Sequence, residues 1–352
     1  MRRISFLVVA LVLSLSTALA QSPVKNIIYL IGDGMGLSSV SMMMVEGGYG
    51  ATIFDRAENI ALQKSYSMDN RVTDSAASGT ALATGVKTNN TFLGVTVDGT
   101  PVESLMEVAQ SNGMATGVVV TTYLQHATPA AFYAHIDSRH EYLKITEQLA
   151  ASRLDVAIGG GMAYFEKQYG DSVQKVLGDN GFTLATTMDE VRAKDDERIM
   201  ALLSDYEVGA NSGDYLATAT AEALRLLSDD EDGFVLMVEG SLIDGMGHAN
   251  DAEAQQLEMR SFMQAVEVAV AFADENPDTL VVVTADHSTG GLSIVSADAD
   301  FTLSEQGVEY RWTTKGHSGE MIPIYLYGAG AELINGIMEN SALGARLKAL
   351  IK

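Results

Sequence analysis

Lys25-Asn26-Ile27-Ile28-Tyr29-Leu30-Ile31-Gly32-Asp33-Gly34-Met35-Gly36 decides the fold class. Its apolar centre, residues 27–31, runs without polar alternation, as a strand does when helices cover both faces of a parallel sheet. The glycine-rich turn that follows puts Asp33 at the carboxyl end of that strand, the edge at which open α/β sheets bind ligands. An Asp before a helix is also a good cap, so Asp33 alone leaves both readings open. Similar apolar runs recur at 116–120, 156–158, 234–238, 280–285 and 322–327, the last read as the final strand. Between and around them, amphipathic or capped segments predict helices at 37–46, 103–110, 141–151, 172–177, 188–193, 215–227, 252–273 and 335–352. Residues 292–315 read as a hairpin or excursion. Strands alternating with helices predict an α/β fold around a mostly parallel sheet.

No repeat, low-complexity tract or linker interrupts the chain, so residues 21–352 are expected to form one large domain. Met1-Arg2-Arg3, the apolar segment 4–15 and Thr17-Ala18-Leu19-Ala20 have the order of a signal peptide over residues 1–20. A periplasmic or secreted product with no membrane span is the expectation. The chain has no cysteine, which excludes disulfides, thiolate metal sites and a Cys nucleophile. Any metal must then be held by oxygen and imidazole. The formal charge of −24 would become −26 without Arg2 and Arg3, with 20 basic residues against 46 acidic ones. Such a surface disfavours nucleic acid, and an anionic substrate would require local cations to reverse the field.

A second stretch carries chemistry. Val72-Thr73-Asp74-Ser75-Ala76-Ala77-Ser78-Gly79-Thr80 leads into a run of small residues that continues readily as a helix. Ser75 then lies in the first turn, among unpaired N–H groups and the positive dipole end, where an anion sits well. Asp74 or Ser75 acting only as an N-cap is the plainer alternative. Further polar groups collect at strand ends: His126 and Thr128 around 125–129, Arg139 with its planar fork, and Glu239 after 234–238. Asp244 and His248 are four apart, which places them on one face of a helical turn within reach of one metal. Asp286-His287 follows the strand at 280–285, and His317 precedes the final one.

In order, Asp-Gly-Met-Gly, Thr-Asp-Ser-Ala-Ala-Ser-Gly-Thr, His-Ala-Thr-Pro-Ala-Ala, Val-Glu-Gly-Ser-Leu-Ile-Asp, Thr-Ala-Asp-His and Gly-His-Ser-Gly-Glu closely resemble the alkaline phosphatase family. The resemblance runs from Lys25 to about Gly328. It implies a three-layer α/β/α sandwich and hydrolysis of phosphate monoesters, with broad specificity, to an alcohol and inorganic phosphate. It implies Ser75 as a transiently phosphorylated nucleophile and Arg139, thirteen residues after His126, as the phosphate grip. It further implies one zinc on Asp244, His248 and His317, and a second on Asp33, Asp286 and His287 with the Ser75 oxygen. A magnesium on Asp33, Thr128 and Glu239 completes the set. A phosphate monoester is a stable dianion, so cations on its oxygens, an activated hydroxyl and help for the leaving alkoxide are what its hydrolysis requires.

Two positions bear on tuning. His126 stands where many bacterial relatives carry an Asp, which implies weaker or less selective magnesium binding. Gly245 stands where relatives have Lys, His or Trp, which implies a more open pocket and faster phosphate release. His135 and His140 have no role in the match and read as surface or packing residues. The chain is short for the family, so a homodimer is possible without being implied. A phosphodiesterase or sulfatase of the same superfamily, or a non-catalytic exported metal or phosphate binder, are the alternatives.

Overall fold

β1 (Asn26–Gly32) is buried along its whole length, and its side chains divide between two cores. Ile27, Tyr29 and Ile31 join one, and Ile28 and Leu30 join the other, so the unbroken apolar run reflects helices on both faces. The computed structural model describes residues 24–195, 198–209, 213–297 and 307–351; the signal segment expected over residues 1–20 lies outside them.

The other strands of the main sheet are β2 (Asn59–Lys64), β3 (Ala115–Tyr123), β4 (Val156–Gly160), β5 (Thr183–Ala185), β6 (Ile199–Leu202), β7 (Phe234–Gly240) and β8 (Thr279–Thr284). Beyond the short pieces β9 (Ser288–Thr289), β10 (Leu292–Ser296), β11 (Val308–Trp312) and β12 (His317–Ser318), β13 (Ile322–Gly328) and β14 (Gly336–Glu339) complete it. The order is β14-β2-β13-β8-β1-β7-β3-β4-β6-β5. Only β13 runs antiparallel to its neighbours, β2 and β8; every other pairing in the sheet is parallel. The hairpin expected within 292–315 is present as the antiparallel pair β10–β11, and β9 pairs with β12.

The helices are α1 (Leu37–Glu46), α2 (Ser75–Thr84), α3 (Leu105–Ser111), α4 (Ala127–Ala130), α5 (Tyr142–Ala150) and α6 (Met162–Tyr169) in the first half. α7 (Val173–Asp179), α8 (Met188–Arg192), α9 (Tyr215–Leu227), α10 (Leu242–Ala249), α11 (Ala252–Glu275) and α12 (Asn340–Leu350) follow. α2, α3, α5, α6, α7 and α12 contribute to the core on one face, and α1, α8, α9 and α11 to that on the other. The layers are therefore α/β/α. Among the described residues no helix is long and apolar enough to cross a membrane.

Two expectations need correction, and four elements carried no clear signal in the sequence. The strand at 322–327 is not the last: β14 follows and pairs in parallel with β2, so the closing helix starts at Asn340 rather than 335. β2 carries no clean apolar signal because Gln63, fully buried in it, is paired by its amide to Thr284 Oγ1 (2.8 Å) and Ala285 O (2.7 Å). β5, β6 and α6 were not expected from the sequence either.

α2 explains its own composition. All ten of its residues are buried, and a Cβ added to Gly344 of α12 would stand 2.5 Å from the carbonyl oxygens of Ala81 and Leu82. Small residues let α12 approach the α2 backbone directly, which fixes the helix that begins with Ser75.

Candidate active site

Asp33, Glu239 and Asp286 come from the carboxyl ends of β1, β7 and β8, which lie side by side as β8-β1-β7. The turn after β1 is tied down by Asp33 N–H donating to Gly240 O (3.2 Å) and Gly34 N–H donating to Asp286 Oδ1 (3.1 Å). Gly34 has φ +72°, and an added Cβ would meet Asp244 Cα at 2.8 Å, so this position requires glycine on both grounds. β3, on the other side of β7, leads to His126 and to Thr128 in α4. Asp244 and His248 fall in α10 just after β7.

Ser75 is the first residue of α2, and Asp74 is its cap, accepting from Ala77 N–H at 2.9 Å. Asp74 does the capping, and the Ser75 hydroxyl is left to face other partners. Ser75 Oγ lies 3.1 Å from His287 Nε2. That nitrogen also faces Asp286 Oδ2 at 3.1 Å and Asp33 Oδ1 at 3.5 Å. One ring nitrogen cannot hydrogen-bond three oxygens, and a cation shared by them resolves the conflict.

Three groups have donor atoms within 4.8 Å of one another: Asp33, Asp286 and His287; Asp244, His287 and His317; and Asp33, His126 and Glu239. Both oxygens of Asp33, Glu239 Oε1, Asp286 Oδ2 and Thr128 Oγ1 are buried with no hydrogen-bond partner. Buried polar atoms are rarely left so, and this concentration fits cation ligands. The imidazoles fit as well. His317 Nδ1 faces the carbonyl of Thr73 at 2.8 Å and His248 Nδ1 that of Lys315 at 2.5 Å. A carbonyl only accepts, so Nδ1 carries the proton in each neutral ring and Nε2 presents a lone pair. Both Nε2 atoms point at Asp244, at 3.7 Å and 3.2 Å. His248 reaches Asp244 but stands outside the tight group, where His287 takes its place.

Electrostatics divide the carboxyls. Burial, then the charges of Asp286, Asp244 and Glu239, push Asp33 well above the usual carboxylate range. Burial pushes Glu239 up to about 8 against the hydrogen bond from Ser241. Burial also acts upward on Asp244, but the His248 hydrogen bond and the charges of His287 and His317 outweigh it and hold Asp244 low. That hydrogen bond, which the protonated ring donates from Nε2, raises His248 to about 9, against burial.

Arg139 is clamped from two sides. Its Nη1 donates to Asp74 Oδ2 (3.2 Å) and its Nη2 to His126 Nε2 (3.2 Å). Arginine only donates, so a neutral His126 carries its proton on Nδ1, which is 3.9 Å from both Asp33 Oδ2 and Glu239 Oε1. Burial, then Arg139, lower His126 to about 3, so the ring is neutral. Gly245 has open space beside it, with nothing within 4 Å of an added Cβ.

The fold thus gathers Asp33, Ser75, His126, Thr128, Arg139, Glu239, Asp244, His248, Asp286, His287 and His317 at one sheet edge. His135 stays apart and pairs with Glu107 (2.9 Å) and Gly94 O (2.7 Å), a packing role. Two contributors escaped the sequence reading. Asp74 Oδ2 also accepts from Thr91 N–H (3.0 Å), and Thr289 Oγ1 bridges Asp244 and His287 Nδ1. Their place inside the serine and Asp-His motifs was the only available signal.

Residues 24–304 match the family model described as alkaline phosphatase. Alkaline phosphatase 4 of Bacillus subtilis is 30% identical over 91% of this chain and 87% of its own length. The alkaline phosphatase structure from the Antarctic bacterium TAB5 is 36% identical, covers 94% of this chain and 98% of its own, and has a TM-score of 0.88. A His-to-Asp mutant of that enzyme, with Mg bound in the M3 site, is 36% identical over the same shares at a TM-score of 0.87. With a serine at a helix start, three carboxylate-bearing groups able to hold a metal ion and these relatives along nearly its whole length, the chain belongs to the alkaline phosphatase family of metal-dependent enzymes.

Proposed function

We propose that the protein hydrolyses phosphate monoesters through a phosphoserine on Ser75. The observation that carries this reading is the position of Ser75 Oγ at the start of α2, 3.1 Å from His287 Nε2 and beside carboxylates with unpaired oxygens. Asp33, Asp286 and His287 would hold one zinc, Asp244, His248 and His317 the other, and Asp33, Thr128 and Glu239 a magnesium. When bound, these ions neutralise the dianion, acidify the serine hydroxyl and the attacking water, and stabilise the leaving oxygen.

The chain's own groups do the rest. Ser75 Oγ attacks phosphorus, the P–O bond to the alcohol breaks, and water then cleaves the phosphoserine to return Ser75 and inorganic phosphate. Arg139, held by Asp74 and His126, binds the non-reacting oxygens with its planar fork, and the free N–H groups of α2 add to that grip. The open space at Gly245 supports ready phosphate release.

His126 bears on the third cation. With Nε2 accepting from Arg139, it turns an N–H toward Asp33 and Glu239 where a carboxylate would offer an acceptor. Magnesium keeps several waters, and those waters need acceptors, so this arrangement weakens magnesium specifically.

The test compares p-nitrophenyl phosphate with bis-p-nitrophenyl phosphate at alkaline pH with zinc and magnesium present. Monoester turnover should dominate, fall by about a thousandfold or more in Ser75→Ala, and leave an acid-stable phosphate on the Ser75 peptide after quenching. Preference for the diester, or full activity of Ser75→Ala, overturns the reading.

A further inference from the structure

Four tyrosines from separate elements meet beside Arg139: Tyr123 at the end of β3, Tyr142 at the start of α5, Tyr164 in α6 and Tyr206 in the loop after β6. The series starts at the site itself. Tyr123 stands edge-on to His126, with ring centroids 5.5 Å apart, and His126 Nε2 in turn accepts from Arg139. Tyr164 follows at 5.2 Å from Tyr123 and stacks on Tyr142 at 4.9 Å, their planes 30° apart. Tyr206 ends the series edge-on to Tyr164 at 5.6 Å, with 51% of its surface exposed.

The core does not need these rings. Ile145 and Leu149 of α5 and Phe165 of α6 are fully buried and already close the contact with the sheet, while Tyr123, Tyr142 and Tyr164 remain partly open to solvent. Aromatic faces stack on planar ligands whatever their substituents, and rings braced against each other lose little freedom when one docks. A run of them leading outward from the anion grip is therefore suited to a flat group attached to a bound phosphate.

Resting on the monoesterase reading above, we propose that this series is a leaving-group subsite for monoesters whose alcohol carries a planar aromatic ring on a sugar-length arm, the chemical class of nucleoside monophosphates. With the phosphate held by Arg139, the ring lies against Tyr164 and Tyr206. An aliphatic alcohol finds no partner there.

The experiment measures kcat and KM for adenosine monophosphate and glycerol 3-phosphate with the zinc- and magnesium-loaded wild type, Tyr164→Ala, Tyr206→Ala, and the two Tyr→Phe variants. The ratio of kcat/KM, nucleotide over glycerol phosphate, should fall about fivefold or more in the Ala variants, mainly through KM. The Phe variants, which keep the rings, should retain the wild-type ratio. Tyr206 is a surface side chain, so its Ala variant folds even if Tyr164→Ala does not. An unchanged ratio in Tyr206→Ala, or an equal loss in the Phe variants, overturns the subsite while monoester turnover stands. Wild type that hydrolyses neither substrate overturns the monoesterase reading and the subsite with it.

Discussion

Two histidine–carboxylate groupings in this molecule differ in one respect. Around His135 every polar atom is matched: Nδ1 with Gly94 O, Nε2 with Glu107 Oε1, and Glu107 Oε2 with Ser104 N–H at 2.7 Å. Around Asp33 five buried oxygens on four side chains have no partner. Both groupings sit at the ends of helices or strands and both contain His beside an acid. The first is complete as protein and holds the start of α3 against the loop at Gly94; the second is complete only with cations. Satisfaction of hydrogen bonds, more than the presence of His and Asp, separates structure from chemistry here.

The largest test of that contrast removes the ions. If each ion is present at about a thousand times its Kd, its loss costs about 4 kcal/mol, so chelation should lower the unfolding free energy by several kcal/mol. Glu239→Gln sharpens the point by reversing sign. In chelator it should stabilise by about 1–3 kcal/mol, because folding no longer has to protonate a buried carboxyl or, above about pH 8, bear its charge, whereas with zinc and magnesium present it should destabilise. Denaturant melts in both conditions check this, and destabilisation in both would make the carboxylate structural.

The next effect lies at the rim of the site. His126→Asp replaces a donor facing Asp33 and Glu239 with an acceptor, and should tighten magnesium binding by about ten- to a hundredfold. Calorimetric titration of zinc-loaded protein with magnesium reads it directly. Unchanged affinity would mean that Nδ1–H is not what limits the third group.

Much of this contrast is legible in the sequence. Asp33, Glu239 and Asp286-His287 stood out because unbroken apolar runs deliver them to one sheet edge, and Ser75 because a string of small residues follows it. What could not be read depends on long-range partners. Asp74 looks like a cap, yet Oδ2 joins Thr91 and Arg139, 17 and 65 residues away. Thr91 adopts φ +73°, a conformation a β-branched residue rarely takes, and no local motif announces it. β2 was hidden by Gln63, whose polarity is useful only opposite Thr284. The tyrosine series is spread over 83 positions from Tyr123 to Tyr206, and only the packing of α5 on α6 assembles it.

The smallest test falls on the satisfied side. Hydrogen bonding to Glu107 raises His135 against burial, while Glu107 is held low because bonds from His135 and Ser104 outweigh its own burial. A raised His contributes fully below its unfolded value, about 6.5, and its contribution fades as pH rises through the folded value; a lowered Glu contributes above its unfolded value, about 4.3, and fades as pH falls through the folded one. The pair is therefore strongest between about pH 4.3 and 6.5. Glu107→Gln keeps an acceptor for the Ser104 N–H but loses the charge, so it should cost about 1 kcal/mol in that window and less at the alkaline pH where the proposed reaction runs. Unfolding of wild type and variant across pH measures the difference. A cost that stays flat with pH would show that His135 and Glu107 meet as neutral partners, and a change in monoester turnover at alkaline pH would mean that this pair reaches the site after all.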